Sequence, residues 1–143
     1  MDSYRSLDVW KIAHAATCLT YTSCDKAYHA KSRSILDQLR RAALSVEANI
    51  VEGYALGTPA LCARHLRIAF GSAAEAECFV RVANELDYLP RATCEELEDL
   101  LGRAMQMLRR LMQNPPAAPT HDARRTTHGL PTHDARRTTH GHG

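Results

Sequence analysis

From Cys62 to Ala83 the apolar residues return in steps of four and three: Cys62, Leu66, Ala69, Ala73, Ala76, Val80 and Ala83. An α-helix repeats every 3.6 residues, so this rhythm places all seven on one stripe, whereas a strand would scatter them over both faces. Most of the stripe is alanine, with Gly71 and Ser72 beside it. Such a surface lets another helix approach closely but buries little area, so the segment has to pack among other helices. Thr58 and Pro59 open it: threonine is a good N-cap, and proline suits the first helical position, where its missing N–H has no intrahelical partner. It ends near Asp87, before Pro90.

Three further segments carry the same period. The first is predicted from about Leu7 to Thr22, with Ser6 as N-cap and Val9, Trp10, Ala13, Ala16 and Leu19 on its apolar side. "SCDKAYHAKSRS" follows, polar and without period, and reads as a loop. In the second helix Ile35, Leu39, Ala42, Val46 and Ile50 form the stripe, widened by Leu36 and Ala43, and Gly53 or Gly57 supplies the left-handed residue that closes it. In the fourth, Thr93 and Glu96 form a capping box, the seam is Leu97, Leu100, Ala104, Leu108 and Leu111, and "NPPAAP" ends it.

Strand signals are absent, and aromatic residues are few while alanine is abundant. Four amphipathic helices with short links predict an all-α, antiparallel up-down-up-down four-helix bundle over residues 1–113. The thin, Ala-rich core of the third helix argues for oligomerisation. Residues 114–143 form a tail with a 12-residue tandem repeat: "PTHDARRTTHGL" (119–130) and "PTHDARRTTHGH" (131–142). Two polar units are too few to build a solenoid, so disorder is expected there.

No apolar run reaches the roughly 18 residues of a membrane span. "MDSYRSLDVW" lacks the layout of a signal peptide, so a cytoplasmic location is expected. The five cysteines are odd in number, widely spaced and without a C-x-x-C pair, and read as reduced thiols. The net charge of +2 resides in the tail, and the body balances at zero.

"SVEANIVEGYALGTP" (45–59) interrupts an apolar stripe with Asn49, Glu52 and Gly53. An amide and a carboxylate three residues apart can bind a metal, and Glu75 lies near the packed side of the third helix. A two-metal bundle site, however, uses Glu-x-x-His motifs, and the chain has none. Asn49, Glu52, Gly53 and Glu75 therefore read as structural, Asn49 and Glu52 bonding across the bundle and Gly53 ending the second helix. No nucleophile–His–acid arrangement or phosphate loop is legible locally, so neither catalysis nor a cofactor is indicated.

The arginines are more suggestive. Arg33 and Arg40, like Arg103 and Arg110, are a heptad apart and share a face. Arg40, Arg41, Arg64, Arg67, Arg103 and Arg110 are candidates for holding a phosphate backbone without reading sequence, most of all if a ring of subunits multiplied them. Scarce aromatics argue against specific single-strand recognition. The alternative is a protein-interaction scaffold with no nucleic-acid role.

"LDVWKIA", "DQLRRAALSVEANIVEGY", "HLRIAFGSAAEAE" and "ANELDYL" together resemble the bacterial four-helix-bundle proteins encoded by intervening sequences in 23S ribosomal RNA genes, over roughly residues 4–112. The resemblance implies a homopentameric ring. It also implies kinship with accessory variability proteins of diversity-generating retroelements, which bind nucleic acid through a basic surface and partner a reverse transcriptase. It brings no catalytic residues. "YALGTPA" lacks the basic residue that usually follows the E-G of that pattern, and the repeat tail lies outside it.

Overall fold

A computed structural model describes residues 3–114. A 3-10 turn, Tyr4–Ser6, leads into α1 (Asp8–Ala27), α2 (Arg33–Ala55), α3 (Pro59–Glu85) and α4 (Arg91–Gln113). Each helix packs on the next and α4 returns to α1, while the diagonal pairs do not meet. This is an antiparallel four-helix bundle without strands among the described residues. No described helix is long and apolar enough to cross a membrane. The expected disorder of the repeat tail lies outside the described residues.

The alanine stripe of α3 explains the closest packing. Cys62, Leu66, Ala69, Ala73, Ala76, Val80 and Ala83 are all buried, and the α2–α3 seam is the most extensive in the bundle. Small side chains bring two backbones together, and the larger residues Leu36, Leu39, Val46, Ile50, Leu97, Leu101 and Leu108 fill the rest of the core.

Several helix ends differ from the sequence expectation. Ser6 is not the cap of α1: it closes the 3-10 turn, and extended Leu7 precedes the helix. The helix also runs on through "SCDKA" to Ala27, because Thr17, Thr20 and Cys24 extend the buried stripe begun by Val9 and Ala13. Thr17 Oγ1 donates locally to the Ala13 carbonyl, so a polar residue sits inside without penalty. Buried Ser32 closes the link to α2, accepting from His29 N (3.2 Å) while its own hydroxyl faces the carbonyls of Ala27 and His29.

At the other links, Thr58 caps α3 by accepting from Leu61 N (3.3 Å), with Pro59 in the first turn. After α3, Asp87 takes the left-handed conformation (φ 55°), Tyr88 N donates to Ala83 O and Asp87 N to Asn84 O. That is a Schellman end with aspartate where glycine is usual. The Thr93–Glu96 capping box does not form. α4 begins three residues earlier, at Arg91 with Pro90 as its cap, because Pro90 holds its fixed φ of −58° and its carbonyl receives Cys94 N. The α4 seam is rotated from the expected one: Cys94, Leu97, Leu101, Ala104 and Leu108 are buried, while Leu100 and Leu111 lie at its margin, as does Ile35 in α2.

All five cysteines are free; Cys24, Cys62 and Cys94 are buried. Burial pushes the Cys24 thiol up to about 11 against an ordinary 9.0, opposed by the nearby Arg40. An acid whose folded value is raised contributes stability fully below the unfolded value and loses it as pH climbs through the folded one. Stability should therefore fall between pH 9 and 11 more steeply in the wild type than in Cys24→Ala, by up to about 1.4 kcal/mol per pH unit. Urea titrations of both proteins across that range measure the difference.

Candidate nucleic-acid interface

The "NIVEG" stretch faces α3. Asn49 Nδ2 donates to Ser45 O (2.8 Å) and lies 3.2 Å from Ser45 Oγ, which bonds Ser72 Oγ across the seam (2.9 Å). His65 Nδ1 lies 2.9 Å from Asn49 Oδ1 and 3.4 Å from Glu52 Oε2. Both of those oxygens are acceptors, so Nδ1 carries the proton. The stretch thus ties α2 to α3 in a short polar chain.

Gly53 does something other than end the helix. It is buried inside α2, and a Cβ there would sit 3.0 Å from His65 Cβ and 3.5 Å from Cys62 O. Its missing side chain lets the two backbones close, and the left-handed residue is Gly57 (φ 72°). Glu75 is likewise not near the packed side: it is exposed on α3, with no ion pair or side-chain hydrogen bond among the described residues. Among the described residues no three His, Cys, Asp or Glu side chains are placed to hold a metal.

The candidate arginines separate into two groups. Arg40 is neutralised. It pairs with Asp25 and lies 3.7 Å from Asp37, with the rings of Tyr21 and Tyr28 5.6 and 5.8 Å from its guanidinium carbon. Only 20% of its side chain is exposed, so it joins α1 to α2 rather than facing a ligand. Arg103 pairs with Asp99 at 3.6 Å. Arg41, Arg64, Arg67 and Arg110 are exposed, with no carboxylate within 4.0 Å among the described residues.

Arg109 was not among the candidates. It lies over Phe70 of α3, 5.5 Å from the ring, and with Arg67, Ala63, Met112 and Gln113 lines a groove of about 570 Å³. Heptad spacing from Arg103 singles out Arg110, and nothing in the sequence shows that Arg109 meets α3. The rotation of α4 turns Arg109 toward α3 and Arg110 toward α1, where Arg110 lines a cavity with Leu7, Asp8 and Val9.

Antiparallel folding also sorts the charges by end. One end is built from residues 3–11, 51–68 and 103–114. It holds Arg5, Lys11, Arg64, Arg67, Arg103, Arg109 and Arg110 against Asp8 and Glu52, a net charge of +5. The opposite end, residues 20–37 and 80–99, holds five basic residues against Asp25, Asp37, Glu85, Asp87, Glu95, Glu96, Glu98 and Asp99, a net −3. A body neutral in total is therefore a polarised bundle.

A family model described as 23S rRNA-intervening sequence protein matches residues 5–110. The chain belongs to that family. The match runs from the 3-10 turn to the last turn of α4 and so spans the whole bundle, including both charged ends. No curated protein matches the chain. Within this 23S rRNA-intervening sequence protein the repeat tail lies beyond the matched residues.

Proposed function

We propose that this 23S rRNA-intervening sequence protein is a non-enzymatic, oligomeric bundle that holds RNA or DNA by its phosphate backbone, without reading sequence, through its basic end. The observation that carries the reading is Arg64, Arg67, Arg109 and Arg110. Each is exposed without a carboxylate partner among the described residues, and all four belong to the end where α3 begins and α4 stops; Arg67 and Arg109 share one groove. Unpaired guanidinium groups bind phosphate by releasing condensed counterions, and the cost of stripping them from acidic partners is absent here. Exposed Leu61 and Ile68 on α3 and Leu44 on α2 support self-association. A homopentameric ring, as the family resemblance implies, would multiply the basic end fivefold. A role beside a reverse transcriptase is the matching biological setting.

The test is binding of a structured RNA and of duplex DNA at 50 and 200 mM salt. Four phosphate contacts predict a loss of affinity of about a hundredfold between those conditions. The double variant Arg67→Glu/Arg109→Glu should bind at least about tenfold more weakly and with a shallower salt slope. Arg81→Glu/Arg91→Glu, at the acidic end, should leave binding unchanged. No binding at 50 mM salt, or binding indifferent to salt, overturns the reading. Recovery of one protein partner after nuclease treatment would then favour a scaffold docking through Leu44, Leu61 and Ile68.

A further inference from the structure

A thiol, an imidazole and a carboxylate line up along the α1–α2 seam. Cys18 and His14 are one helical turn apart on α1, and His14 Nε2 lies 3.7 Å from Cys18 Sγ. The other ring nitrogen, Nδ1, lies 2.8 Å from Glu47 Oε1 on α2. A carboxylate only accepts, so Nδ1 carries the proton and Nε2 turns its lone pair toward the thiol. Sequence reading missed this arrangement because Glu47 is 33 residues from His14, and only the α1–α2 register brings them together.

The ring is held in that orientation. Trp10, one turn before His14, stacks on it with centroids 4.8 Å apart and planes 17° from parallel. Tyr4 meets Trp10 edge-on at 5.3 Å. The Glu47 side chain is only 16% exposed, so it does not wander into solvent. Lys11, three residues before His14, is paired with Asp8 at 3.4 Å. Cys18 itself is exposed.

The remaining thiols sharpen the contrast. Cys24, Cys62 and Cys94 are buried, and burial pushes each away from the thiolate form. Cys78 is exposed like Cys18, but no histidine or other polar side chain bonds it. The protein thus carries an internal control for an ordinary surface thiol.

We infer that Cys18 is a nucleophilic thiol, deprotonated by His14 with Glu47 as the positioning carboxylate, that reacts with small disulfides to form a reversible mixed disulfide. In that step the Cys18 S–H proton passes to His14 Nε2. The Sγ electron pair forms a new S–S bond as the bond of the small disulfide breaks. The departing thiolate takes the proton back from His14. Cys18 is oxidised, half of the small disulfide is reduced to a free thiol, and no further oxidant is needed. No second cysteine stands beside Cys18 to resolve the product, so the adduct persists until an external thiol removes it.

Competitive alkylation of the full chain with limiting iodoacetamide, followed by peptide mapping, tests the inference. Cys18 should react about tenfold faster than Cys78 at about pH 6.5. His14→Gln should bring the ratio close to one at every pH, and Glu47→Gln should lower it. Oxidised glutathione should add one glutathionyl group, at Cys18, removable by dithiothreitol. Equal rates for Cys18 and Cys78 at about pH 6.5 in the wild-type protein overturn the inference, as does a ratio that survives His14→Gln. The wild-type ratio decides the matter even if the variant fails to fold.

Discussion

Gly53→Val is expected to lower the folding stability by about 3 kcal/mol, against about 0.5–1 kcal/mol gained by Gly71→Ala or Gly102→Ala. All three glycines are helical, and helix propensity alone would favour replacing each of them. The difference lies in what surrounds them. A Cβ at Gly53 would meet His65 Cβ at 3.0 Å with the Cys62 carbonyl just behind it, whereas nothing lies within 4 Å of one at Gly71 or Gly102. His65 Cβ is fixed to its backbone, so α3 itself would have to move away. That movement would stretch the Asn49–His65 and Ser45–Ser72 hydrogen bonds and loosen the seam. Chemical denaturation of the three variants reads the result directly. A Gly53→Val protein as stable as wild type would show that the α2–α3 contact is looser than described.

The second large effect separates two adjacent leucines. Leu101→Ala is expected to cost about 3 kcal/mol and Leu100→Ala about 1 kcal/mol. Leu101 is 1% exposed in the core and Leu100 lies at its edge, so the first truncation leaves a cavity and the second mostly uncovers surface. The sequence pattern ranks them the other way, because Leu97, Leu100, Ala104, Leu108 and Leu111 also follow helical spacing. Both stripes suit an amphipathic helix, and they differ by a modest rotation about its axis. Equal costs for the two variants would mean that α4 sits between the two rotations.

The legibility of each feature tracks the range of the interaction behind it. The α3 stripe was readable because Cys62 to Ala83 repeat without a break and Thr58-Pro59 marks the start chemically. At the α1 end a tertiary contact outweighs a local signal, and at the α4 start one local signal, Pro90, overrides another, Thr93. Cys24 falls in a stretch that reads as a polar loop, yet it packs in the core under α2, with its Sγ 4.0 Å from Leu36 O. Thr93 looked like a cap although Pro90 had already begun the helix. Gly53 looked like a terminator because the residue type signals a left-handed turn as readily as a close crossing, and only the partner helix tells these apart.

For the candidate interface, residue type was legible and availability was not. Arg40 and Arg64 look alike in the sequence, yet one is held by Asp25 between two tyrosines and the other stands free. An ion pair between residues 15 positions apart depends on how two helices align. The amino-acid sequence on its own determined the four helices and their antiparallel order, since these follow from periodicity and short links, while the packing of α4 against its neighbours chose between two possible buried faces. The tertiary structure alone decided which arginines remain unpaired, and it gathered a charge of +5 at one end and −3 at the other from a body that sums to zero. It likewise set Cys18, His14 and Glu47 in line. The physical reason is the same in each case: side-chain chemistry is fixed residue by residue, but which side chains meet is set by the rotation and register of packed helices.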